Sequence, residues 1–169
     1  MKKKHIIHSA ALLLGLCLAG CKESLPDNFG PIEGIYFNNQ LAANRTVIDS
    51  AAYTFIYEDA DVLEVPVRLQ LVGRAAAQPR VVDIRVTSQD AEEGTDYTLG
   101  GDAVLPAGSV SFDYVVTLKR TDILKEKTKN LLLELRPNAN FIIPFTSQVQ
   151  SGGDTVSAVT FKINFSDQF

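Results

Sequence analysis

Hydrophobic and polar positions alternate one by one over much of the chain. Leu63, Val65, Val67, Leu69 and Leu71 alternate with Glu64, Pro66, Arg68 and Gln70. A period of two puts one set on the buried face of a β-strand and the other toward water. Val82, Ile84 and Val86 follow the same rule, as do Val110, Phe112, Tyr114, Val116 and Leu118. So do Leu131, Leu133 and Leu135, where Leu132 breaks the alternation, and Val159, Phe161, Ile163 and Phe165. Shorter apolar runs at Ile35–Phe37, Tyr53–Tyr57 and Phe141–Ile143 bring the count to about seven or eight strands. Pro66 has no N–H to give a ladder, which predicts an edge position or a bulge for its strand.

The segments between these runs carry turn chemistry: Gly73, Pro79, Gly94, Gly100-Gly101, Pro106 with Gly108, Pro137-Asn138 and Gly152-Gly153. No stretch after Cys21 sustains a helical period. The best helical candidate is one or two polar turns within Asp122–Asn130. Many short strands with one polar face predict two packed antiparallel sheets, an all-β sandwich over residues 35–169. Their spatial order is not readable from the pattern.

The first twenty residues break with this pattern. Lys2, Lys3 and Lys4 precede an apolar run from Ala10 to Ala19, the layout of a secretory signal. The run is about half the ~20 residues a membrane-spanning helix needs. It ends in Leu18-Ala19-Gly20-Cys21, which resembles the bacterial lipobox. That resemblance implies removal of residues 1–20, a diacylglycerol on the Cys21 sulfur and an acyl chain on its new amino group. Each buried methylene adds about 0.8 kcal/mol, so two or three chains hold where one is marginal. Residues 21–34, with Pro26, Gly30, Pro31 and Gly34, read as the lipidated cysteine and a linker. Lys22-Glu23-Ser24 resembles the export signal of Bacteroidetes surface lipoproteins and equally suits a plain polar tether.

Processing changes the available chemistry. The chain has 169 residues, and the mature part, Cys21–Phe169, has 149. A domain of that size buries roughly 70% of its unfolded surface and needs no staple. Both histidines, His5 and His8, and Cys17 leave with the signal, and Cys21 is consumed by lipid. Histidine bases, thiol nucleophiles and His/Cys zinc sites are thereby excluded from the mature domain. The formal charge of −4 becomes −7, with 13 basic residues against 20 acids, which argues against nucleic acid as a partner.

The remaining candidates are few. A Ser–Lys pair needs a buried lysine, and Lys119, Lys125, Lys127, Lys129 and Lys162 all fall at polar or outward positions. Glu64, Asp83, Asp113 and Glu134 sit mid-strand on outward faces, unlike a glycosidase pair. Asp90, Glu92, Glu93 and Asp96 crowd one loop, but four carboxylates fall short of the six to eight oxygens calcium takes, and a solvated acidic turn is favoured. Tyr53, Tyr57 and Tyr97 are the exposed-aromatic candidates for stacking on a sugar. Period two would set Tyr53, Phe55 and Tyr57 on one face, as a platform or as core. No cofactor is expected beyond the lipid.

Two segments resemble known modules. Ala91-Glu92-Glu93-Gly94-Thr95-Asp96-Tyr97, Leu105-Pro106-Ala107-Gly108 and the strand closing on Asp122 resemble Calx-β and related immunoglobulin-like modules. Together with the lipobox, Ile35-Tyr36-Phe37 and the terminal Phe165-Ser166-Asp167-Gln168, they resemble a family of Bacteroidetes lipoproteins catalogued as a domain of unknown function. The resemblance implies an immunoglobulin-like sandwich at the outer-membrane surface, or on its periplasmic face. It implies a non-enzymatic interaction module for a membrane protein complex, with glycan binding beside a polysaccharide importer as the alternative.

Overall fold

The computed structural model describes residues 33–150 and 152–168. The signal, Cys21 and most of the linker lie outside these residues. The strands are β1 (Gly34–Phe37), β2 (Asn39–Gln40), β3 (Val47–Ile48), β4 (Ser50–Thr54), β5 (Val62–Val72), β6 (Arg80–Val81) and β7 (Asp83–Thr87). They continue with β8 (Tyr97–Leu99), β9 (Val104–Leu105), β10 (Ser111–Lys119), β11 (Lys129–Arg136), β12 (Ser147–Val149), β13 (Thr155–Ser157) and β14 (Thr160–Ser166). One 3₁₀ turn, Asp122–Lys125, falls inside the expected helical stretch.

Two four-stranded sheets form the sandwich, in the orders β1-β5-β10-β8 and β4-β14-β11-β7. These are the two strand orders of the immunoglobulin fold, with the first strand divided between the sheets. The protein is an immunoglobulin-like β-sandwich. One pairing departs from the antiparallel expectation: β4 runs parallel to β14, from Ser50 beside Lys162 to Thr54 beside Ser166. A chain that begins in one sheet and crosses to the far edge of the other can only meet the last strand in that direction.

The alternation places the core. Val65, Val67, Leu69 and Leu71 of β5, and Tyr114, Val116 and Leu118 of β10, are buried. They face Leu131, Leu133 and Leu135 of β11 and Phe161, Ile163 and Phe165 of β14. The Phe37 and Phe161 rings pack across the two sheets with centroids 6.3 Å apart. Each such side chain contributes roughly 1.5–3 kcal/mol on leaving water. Leu132, the residue out of phase, points outward and is 41% exposed.

Pro66 does not mark an edge strand, because β5 lies between β1 and β10. The reason is local. Leu71 N–H bonds toward β10, at Val110 O, while Arg68 N–H points the other way, to Asn39 Oδ1 at 2.8 Å. Successive residues of a strand direct their N–H groups to opposite neighbours, so Pro66 shares the Arg68 side. β1 has already ended there, its last partner being Leu69. The missing N–H thus falls where no strand asks for it.

The Phe141–Ile143 run forms no strand, only a bridge from Ile142 to Gly34. The Tyr53–Tyr57 run is a strand only as far as Thr54.

Candidate functional site

The site lies where the chain leaves one sheet for the other. β1 makes its last backbone contact with β5 through Asn38 N–H to Arg68 O at 2.9 Å. Asn39 then offers its side-chain oxygen to the Arg68 N–H, standing in for the carbonyl a longer β1 would have supplied. β2 and β3 turn over this gap as a small hairpin, and β4 picks up the far sheet. The result is an open cleft of about 580 Å³, lined by residues of this crossing and by outward side chains of β5 and β10. That volume is in the range of small-ligand sites.

Its chemistry is polar. Asn38, Asn39, Gln40 and Gln70 supply amides, Arg45 and Arg68 supply guanidinium groups, and Tyr53 and Pro66 supply flat apolar surface. Arg68 is held in place: Nη1 donates to both oxygens of Asp113 at 3.2 and 3.1 Å, and Nη2 donates to Ser111 Oγ at 2.6 Å. Such a fork offers fixed geometry more than strength at this exposed position. Arg45 sits in the β2–β3 turn with φ +58°, a left-handed conformation that a side chain adopts at a cost of about 1–2 kcal/mol. It has no ion-pair partner among the described residues. Asn39 is 7% exposed, and its Nδ2 has no hydrogen-bond acceptor among the described residues. Burial raises the Tyr53 phenol above its ordinary pKa, so it stays a neutral donor.

The three tyrosines expected to be exposed part company. Tyr53 is half-buried and lines the cleft. Tyr57 is 81% exposed and lies outside it. Tyr97 is buried beside Leu118, which corrects the expectation of an exposed ring. No Tyr53–Phe55–Tyr57 platform forms, because the strand ends at Thr54. Phe55 turns into the core under the Arg120 guanidinium, 5.2 Å from its ring centre.

The four loop acids do not converge either. Asp90 accepts from Asn130 N and Nδ2 at 3.0 and 2.9 Å. Asp96 is 2% exposed and receives Lys129 Nζ at 2.6 Å and Glu92 N at 2.8 Å. Glu92 and Glu93 stay exposed. Among the described residues no three His, Cys, Asp or Glu side chains gather as a metal would need. Lys129 corrects the reading of outward lysines: it is 7% exposed. Its Nζ donates to Asp96 Oδ1 and is taken up by that ion pair.

The cleft residues other than Tyr53 escaped the pattern reading. Arg68, Gln70 and Asp113 look like any outward strand residue, and only the amide run Asn38-Asn39-Gln40 after an apolar strand offered a signal.

Comparison with known proteins gives these features a family. Residues 32–153 match the family described as Domain of unknown function (DUF4843). The chain belongs to that family. No curated protein matches it. Among solved structures the apo-form Calx CBD1 domain is similar, with 15% identity and a TM-score of 0.51, over 80% of this chain and 97% of that one. A Bacteroides ovatus protein of unknown function shares 12% identity and a TM-score of 0.45, over 80% of this chain and 47% of its own. The Calx likeness shows the sandwich fold that this DUF4843 member adopts. The cleft described above is built from this chain's own residues.

Proposed function

We propose that this protein is a cell-envelope lipoprotein, held at the outer-membrane surface through acylated Cys21, that acts by non-covalent binding and not by catalysis. The observation that carries the binding part is the cleft at the β1–β4 crossing. It offers amide and guanidinium donors on fixed backbone and holds no nucleophile–base pair. The absence of histidine and free thiol from the mature sequence supports the same reading. Among the described residues no helix is long and apolar enough to cross a membrane.

The occupant is a partner in a membrane protein complex, bound through the cleft and the strand edges beside it. Pull-down of the lipidated protein from its own membrane tests this. A partner that is retained by the native chain and lost on Arg68→Ala supports the reading; no partner, or one indifferent to Arg68, counts against it.

A second reading, a glycan-binding accessory of a polysaccharide importer, has one observation in its favour. Tyr53 presents part of its ring beside Asn38, Gln40, Gln70 and the Arg68–Asp113 pair, the mixture of flat and polar groups that sugars require. A glycan array with the domain lacking Cys21 decides it. Binding that vanishes with Tyr53→Ala and survives Tyr57→Ala favours the sugar.

A further inference from the structure

We infer that the sandwich stands on the bilayer by one particular end, the one bearing Val81, Val110 and Ile142, and presents its acidic end outward. This rests on the lipid-anchor reading and goes beyond it by assigning a membrane-facing surface.

The chain comes into the fold at one end. Gly34 pairs with Val72 and bridges to Ile142, and Glu33 is ion-paired with Arg80. The loops around this point are 73–80, 100–110 and 137–146. Together they carry one acid, Asp102, and two bases, Arg74 and Arg80. Val81, Val110 and Ile142 are about half exposed there, at 50%, 47% and 51%. The opposite end is made by loops 55–61, 88–96 and 120–128, where Arg120 Nη2 donates to Phe55 O and Glu58 O and Thr121 Oγ1 donates to Asp96 Oδ1. Besides the buried Asp96, which Lys129 pairs, those loops carry eight acids against three bases.

The two ends therefore differ in what they cost near lipid. Exposed apolar side chains occur at both ends, Tyr57 and Ile123 at the far one, so the difference is one of charge: anionic headgroups repel carboxylates within about a Debye length, roughly 10 Å, and tolerate an acid-poor surface. Reach points the same way. Eleven residues, and so twelve Cα–Cα steps, separate Cys21 from Glu33. Fully extended they span at most about 40 Å, and β5 alone, with 11 residues, is about 36 Å long. Standing on the acidic end would draw that tether nearly straight. Standing on the near end leaves it slack. The β5 residues of the cleft, Pro66, Arg68 and Gln70, lie within the strand and not in the loops at either end.

The experiment uses the full chain, processed in cells and reconstituted into phosphatidylethanolamine–phosphatidylglycerol vesicles. Acylation blocks Cys21, so Ala107→Cys at the near end and Asp59→Cys at the far end each carry a single reactive thiol. A fluorophore on each is read against a lipid with a headgroup quencher. Several-fold stronger quenching at position 107 than at 59 is expected, and it should fall when Val110→Glu and Ile142→Glu are added. Equal quenching at both sites, a reversed order, or no response to the glutamates would overturn the inference. Dye on Cys21 in the native chain, with an unacylated mass, would show instead that the anchor itself is wrong, and the orientation would go with it.

Discussion

Lys129 Nζ lies 2.6 Å from Asp96 Oδ1, and the bond joins the two sheets: Lys129 opens β11, and Asp96 precedes β8. Both side chains are more than nine-tenths buried. Removing one partner leaves a charge without water or counter-ion, which costs about 3–5 kcal/mol. Asp96→Ala should therefore lower the urea midpoint sharply. Replacing both, as Asp96→Leu with Lys129→Met, should recover most of the loss. A double variant as unstable as the single would mean that packing, and not charge, is at stake.

The same pair sets a pH dependence. Burial by itself pushes the Asp96 carboxyl up. The Lys129 hydrogen bond, the Glu92 amide, the Lys129 charge and the Thr121 hydroxyl outweigh it and hold the group below the ordinary carboxylate value. A folded pKa below the unfolded one gives stability that is present above the unfolded value, about 3.9, and lost as pH falls through the folded value. Urea midpoints should therefore drop from about pH 4 downward. The drop should be shallower in the Asp96→Leu, Lys129→Met variant.

Gly34 is required for space. A Cβ there would lie 2.6 Å from Pro144 Cγ, a ring atom and not the end of a flexible side chain. Gly34→Ala should cost about 1–3 kcal/mol, the range for overpacking. Gly152→Ala, where a Cβ meets nothing within 4 Å, is the control and should leave the thermal midpoint unchanged.

Arg68 separates binding from stability. It and Asp113 are each 45% exposed, so their ion pair is worth at most about 1 kcal/mol. Arg68→Ala should leave the denaturation curve nearly in place while abolishing retention of whatever the cleft holds. A large loss of stability would assign Arg68 to the fold instead.

Cys21→Ser should release the protein from the membrane fraction, because no other lipid-bearing group is proposed. Mass spectrometry of the native N-terminal peptide should show a chain starting at Cys21 with its acyl groups. An unmodified or uncleaved N-terminus would remove the anchor.

The inward residues were legible because period two is a local property. Val65 to Leu71, Tyr114 to Leu118 and Leu131 to Leu135 need only the next two residues to declare their face, and all lie in the core. Tyr53 was legible as a candidate for the same reason, since an aromatic on a strand must be either core or platform. Tyr97 and Lys129 misled because their fate hangs on a partner distant in sequence. Tyr97 is covered by packing against β10, and Lys129 is drawn inward by a carboxylate 33 residues away.

Alternation, turn residues and the N-terminal pattern by themselves determined a β-sandwich and the expectation of a lipid-anchored cysteine. Each of these is written in neighbouring residues. Tertiary structure alone decided that the first strand splits between sheets, that β4 meets β14 in parallel, and that the gap left by β1 becomes a cleft. It also decided which end of the sandwich is acid-rich. These depend on which distant segments pair, and pairing is settled by the packing of the whole, where short-range pattern has no say.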